Sequence, residues 1–153
     1  MTSACPNPAD SPAIARLLPY RAPEGAADRV LLFAMRRMAQ GGIDDAYAAS
    51  ALLNFFGRGF RRPLVLLRAT MAEVSRVSAR SLMIAPCCCP RLTADERGLI
   101  AAIADGRHFP GAAHDRLAGL LNVRHCHAAA ETGRALADAF TDLGHPLAMA
   151  MAD

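Results

Sequence analysis

Along most of this chain apolar residues recur at intervals of three and four, the period of one helix face. Leu31, Ala34, Met35 and Met38 form such a stripe between Ala26 and Gln40, and Gly41-Gly42 offers a left-handed exit after it. Ala48, Leu52, Phe55 and Phe56 form the next stripe. Asp44 or Asp45 can open that helix by accepting from unpaired first-turn N–H groups, and Gly57 closes it. A third helix starts at Pro63, where a missing N–H costs nothing, and carries Leu64, Leu67, Met71, Val74 and Ser78 on one face. Glu73, Arg76 and Arg80 fall on another face, a solvated set at neighbour spacing. Thr93-Ala94-Asp95-Glu96 matches a capping box and opens a helix with Leu99, Ile100 and Ile103 that Gly106 stops. Leu117, Leu120 and Leu121 predict a helix over 111–122, and Leu136, Ala139, Phe140 and Leu143 one over 128–143. Leu82 to Ala85 is too brief for a helix and reads as buried extended chain, a lone strand. The expected fold is all-α, a compact single-domain bundle of five to six short helices over 26–144. Recurrent prolines make residues 1–25 a partly ordered arm with a helical turn near Ala13 to Leu18, and 145–153 form an apolar tail holding Met149 and Met151.

Composition agrees with closely packed helices. The 153 residues are 53% hydrophobic and 20% charged, which excludes a disordered polyelectrolyte, and they include 33 Ala but no Trp. All 17 basic residues are Arg, against 14 acids, for a net charge of +3. That excess is too small and too dispersed for the basic stripe that phosphate neutralisation requires, so nucleic acid is not the expected partner. Thr93 to Leu121 also lacks the short turn of a DNA-reading helix-turn-helix. Arg29, Arg36 and Arg37 lie off the apolar stripe of their helix, and solvated faces or local acid pairs are the expected setting for such arginines. Arg61, Arg62 and Arg68, beside Gly57, Gly59 and a helix start, form a candidate anion-binding set whose structural alternative is a turn lined with solvated arginines. No run approaches ~18 apolar residues, and the proline-broken start has no secretory apolar region, so no membrane association and a cytoplasmic location are expected.

The distinctive chemistry lies in two short segments, Cys87-Cys88-Cys89 and His125-Cys126-His127. Five cysteines, an odd number with three in a row, do not suggest a disulfide framework. Extended backbone would put Cys87 and Cys89 on one face and His125 and His127 on another. Brought together they would supply two thiolates and two imidazoles, a donor set for Zn²⁺ or another soft metal ion, with Cys88 and Cys126 as further sulfur donors. His108 and His114 lie between the segments and could substitute. The C-x-C and H-x-H spacings aim donors at one point less readily than C-x₂₋₄-C, and free cysteines packing as small hydrophobes are the plain alternative. Redox chemistry is the third reading, since a following helix start and Arg91 would favour a thiolate and a histidine could serve as base. Cys5-Pro6 and Cys89-Pro90 are Cys-Pro dipeptides of the kind found in haem-responsive regions.

Phe60-Arg61-Arg62-Pro63-Leu64-Val65-Leu66-Leu67-Arg68 and Ile84-Ala85-Pro86-Cys87-Cys88-Cys89-Pro90-Arg91 resemble a small bacterial family known only as a domain of unknown function. The resemblance covers the central third to half of the chain and assigns no activity, cofactor or residue role; it implies a bacterial cytoplasmic protein. With no complete catalytic set, the expectation is a non-enzymatic regulatory or protein-interaction domain that self-associates as a homodimer. The alternative is a metal- or redox-sensing protein using the two segments, and after it a Cys-dependent enzyme.

Overall fold

The computed structural model of the chain describes residues 12–148. Cys5-Pro6, Met149 and Met151 lie outside the described residues. A six-residue helix α1 (Pro12–Leu17) is followed by six longer ones: α2 (Ala26–Gly41), α3 (Ala46–Phe56), α4 (Arg61–Val77), α5 (Ala94–Asp105), α6 (Pro110–Leu121) and α7 (His127–Asp142). The fold is helical. Its one small sheet among the described residues pairs β1 (Tyr20–Arg21) antiparallel with β2 (Arg91–Leu92), Tyr20 opposite Leu92. The strand partner is thus Arg91–Leu92 and not Leu82 to Ala85, which runs as irregular chain with Met83 exposed and Ala85 buried. No described helix is long and apolar enough to cross a membrane.

Every long helix contributes to the main core cluster: Leu31 and Met35 from α2, Leu52 from α3, Leu67 from α4, Leu99 and Ile100 from α5, Leu121 from α6, Leu136 and Phe140 from α7. The longest run of contact is between α4 and α7, with α5 against α6 and α2 against α3 as the other principal pairs. Helix α7 also approaches α5, where Gly133 lets the backbones come close: a methyl group there would sit 3.4 Å from the Ile103 side chain.

Helix boundaries follow local chemistry. Thr93 accepts from the Glu96 N–H at 3.0 Å and Glu96 returns to the Thr93 N–H at 2.9 Å, a complete capping box. Gly57 ends α3 at φ 62°, ψ −133°, a conformation that side chains resist. A 3₁₀ turn over Gly57–Phe60 then leads into α4 at Arg61, two residues before Pro63. Helix α4 stops at Val77, so Arg80 leaves the Glu73–Arg76 set and pairs instead with Asp95 on α5.

Asp45 caps α3 by accepting from the Ala48 N–H at 2.9 Å and holds Arg37 of α2 in a forked pair at 3.1 and 2.8 Å. The Arg37 hydrogen bond, opposed by burial and helped by the Ala48 N–H, keeps the Asp45 carboxyl below the usual carboxylate range. A lowered native value means that this contribution to stability is present above the ordinary carboxylate pKa and is lost as pH falls through the native one. Asp45→Asn is therefore expected to weaken the fold at neutral pH and to lose less on acidification. Urea midpoints at neutral and acid pH check this, and parallel losses in both proteins would show that the carboxylate contributes nothing.

Arg36 is the main departure from the pattern. Though off the apolar stripe it is 2% exposed, and the acid it pairs with is not local but Glu96, which is fully buried. Arg36 Nε donates to Glu96 Oε1 at 2.7 Å and its two terminal nitrogens reach the carbonyls of Cys89 and Arg91, each at 2.7 Å. Glu96 also accepts from the Ala85 N–H at 3.0 Å. One ion pair thereby holds the 85–93 stretch between α2 and α5. Arg91 extends the arrangement outward by donating to the carbonyls of Leu18 and Pro19, and Arg97 lies over the Tyr20 ring at 4.0 Å, so the 18–21 part of the N-terminal arm is fastened to the domain.

Candidate metal centre

The two sequence segments meet different surroundings. Cys87-Cys88 forms a tight turn, closed by the Cys89 N–H donating to the Pro86 carbonyl at 3.0 Å, so the triplet is not extended and its alternate sulfurs do not share a face. Cys87, half-buried, lies 3.7 Å from the Gln40 side-chain oxygen at the end of α2. Cys88 is disulfide-bonded, which removes it from any thiolate set and departs from the expectation of reduced thiols. Cys89 is buried in a small cluster with Leu18 and Ala85.

The imidazoles collect elsewhere. His114 sits midway along α6, whose last turn ends at Asn122 in the left-handed region, φ 55°, with its N–H returned to the carbonyls of Ala118 and Gly119. That reversal sends the chain back along α6, and buried Cys126 turns inward while His125 and His127 stay exposed. His127 stacks on His114 with centroids 4.5 Å apart and on His125 at 5.5 Å, the planes inclined by 19° and 12°. One nitrogen from each of His114, His125 and His127 lies within 4.8 Å of the other two. This is the one group of potential metal ligands among the described residues, and it contains no cysteine.

Two contacts fix His114 from below. Its Nδ1 lies 3.2 Å from Asp115 Oδ1, and the Cys126 backbone N–H donates to its Nε2 at 3.3 Å. Cys126 Sγ lies 3.7 Å from the His114 carbonyl, and burial, reinforced by the Asp115 charge, pushes its thiol pKa up. Burial thus disfavours the thiolate, the form of the side chain that binds metal. Zinc–nitrogen bonds of about 2.05 Å at tetrahedral angles need nitrogens about 3.3 Å apart, so the widest imidazole pair must close by about 1.5 Å. His125 and His127 are exposed and touch chiefly each other and His114, so such a rotation disturbs ring stacking and not the core.

Other sequence candidates lie apart from this group. His108 is in the turn between α5 and α6 beside Phe109, with centroids 6.4 Å apart. Arg62 pairs with Asp142 at the end of α7 at 2.7 Å. Arg68 donates to the Ile43 carbonyl at 3.0 Å, with Asp44 at 3.7 Å. Arg61 is exposed in the first turn of α4.

Residues 9–144 match the model described as a family of unknown function, DUF6628. The chain belongs to this family. No curated protein and no solved structure matches it. The DUF6628 span takes in the seven α-helices of the described residues, the cysteine triplet and the three clustered histidines, so the candidate centre lies within the family domain.

Proposed function

We propose that this protein is a metal-responsive domain that binds a borderline divalent transition-metal ion, with Zn²⁺ the first candidate, through His114, His125 and His127. The observation that carries the reading is the convergence of three imidazole nitrogens within 4.8 Å of one another. An all-nitrogen donor set suits Zn²⁺, Ni²⁺, Co²⁺ or Cu²⁺ better than the soft Cu(I) that thiolates would select. Two of the three ligands are exposed, which supports an exchangeable ion over a sealed structural one. Titration of tag-free protein with Zn²⁺ by calorimetry should show one ion per chain. Binding that is absent, or that persists unchanged when the histidines are replaced, would end the reading.

A second reading, a self-associating interaction domain, draws on large apolar side chains left in solvent. Tyr47 is 67% exposed, Val65 61% and Phe109 65%, values high for residues of that size. Light scattering across a concentration series should then give a dimer mass. A monomer at the highest concentration would remove this reading without touching the first.

A further inference from the structure

We propose that the ion and the Cys126 backbone N–H compete for one lone pair of His114, so that loading the metal site releases the hydrogen bond that anchors the start of α7. The inference rests on the metal-binding reading and concerns how that site acts on the fold. A neutral imidazole has one nitrogen that carries hydrogen and one that carries a lone pair. Asp115 Oδ1, a carboxylate acceptor 3.2 Å from Nδ1, places the hydrogen there. Nε2 is then the lone-pair nitrogen, and it already accepts from the Cys126 N–H at 3.3 Å. The two neighbours agree on one tautomer, and that tautomer leaves no idle ligand atom on His114.

A metal ion needs that same lone pair, so it can bind His114 only by displacing the Cys126 N–H. Asp115 keeps its hydrogen bond to Nδ1 when this happens and becomes the carboxylate that orients a metal-bound imidazole. Asp115 is thus a positioning residue, its side chain 86% exposed and outside the core. The cost falls on Cys126. It is 2% exposed, it is the N-cap of α7, and its carbonyl accepts from the Ala130 N–H at 2.9 Å in the first helical turn. An amide deprived of its partner at a buried position must find water, which draws the 123–126 connection outward and loosens the Sγ contact to the His114 carbonyl. The free state and the loaded state then differ at a defined joint between α6 and α7.

The test is amide hydrogen exchange on the full, tag-free chain with and without saturating Zn²⁺, read together with the nitrogen-15 spectrum of the imidazole side chains. Without metal, His114 should show the Nδ1–H tautomer and the Cys126 amide should be protected. With Zn²⁺, the His114 Nε2 signal should shift as a metal ligand. Exchange at Cys126 should then rise about tenfold or more, while the core amides of α7 hold. His114→Ala, which removes the acceptor of the Cys126 N–H, should exchange quickly at Cys126 in both conditions, and Asp115→Ala, a surface change, should weaken Zn²⁺ binding about 10–100-fold. Stoichiometric Zn²⁺ binding by the histidines with Cys126 protection unchanged or increased would overturn the competition and leave the metal site standing. Failure to bind Zn²⁺ at all would overturn both.

Discussion

Replacing Glu96 by alanine is expected to cost about 3–5 kcal/mol, because it leaves the Arg36 guanidinium charged and unpaired in the core. For a domain of this size that corresponds to a fall in Tm of roughly 10–15 °C, measurable by calorimetry or circular dichroism. Glu96→Gln should also be damaging, since an amide keeps the shape but loses the charge and presents hydrogen where an acceptor is needed. Removing both charges with Arg36→Met and Glu96→Leu should cost less than the sum of the single changes. It should still fall short of the parent protein. Many buried ion pairs can be exchanged for hydrophobes at no loss, but this one also serves the carbonyls of Cys89 and Arg91 and the N–H groups of Ala85 and Thr93. A double variant as stable as the parent would show that those backbone contacts contribute nothing.

The second large effect concerns the imidazoles. His125→Ala and His127→Ala should each weaken Zn²⁺ binding by at least about a hundredfold, the upper end of what loss of an outer partner alone produces. Stability should change by no more than about 0.5 kcal/mol, because both side chains are exposed. Cys87→Ser and Cys89→Ser should leave Zn²⁺ affinity unchanged. Calorimetric titration of the four variants separates a histidine site from a mixed sulfur and nitrogen site, and a loss of affinity in either serine variant would count for the latter.

The helices were legible because their signals are local. The Thr93–Glu96 box, the Asp45 cap, Gly57 and the apolar stripes each act within one or two turns, and the chain folds as they direct. What escaped is what depends on distant partners. Arg36 reads as solvated or paired with a nearby acid because an arginine off the apolar stripe ordinarily is, whereas its partner lies sixty positions away. Glu96 reads as a capping residue and is one, but nothing in the box reveals that its carboxylate is also the counter-charge of the core. The cysteine triplet suggests extended chain, yet the Cys89 N–H bond to the Pro86 carbonyl folds it into a turn. His114 was visible as a substitute ligand only. Its place beside His125 and His127 depends on the left-handed residue Asn122, which a sequence pattern does not mark as the pivot of a site.

The reach of Arg36 has a consequence for how the chain is made. Its carbonyl partner at Cys89 lies 53 positions further along and its carboxylate partner 60. A nascent chain leaving the ribosome therefore carries a cation destined for the interior well before its counterparts have been synthesised. Until they emerge, α2 has no reason to bury that face, and closing so wide a loop carries its entropic cost before the reward. The first half of this protein waits for the second.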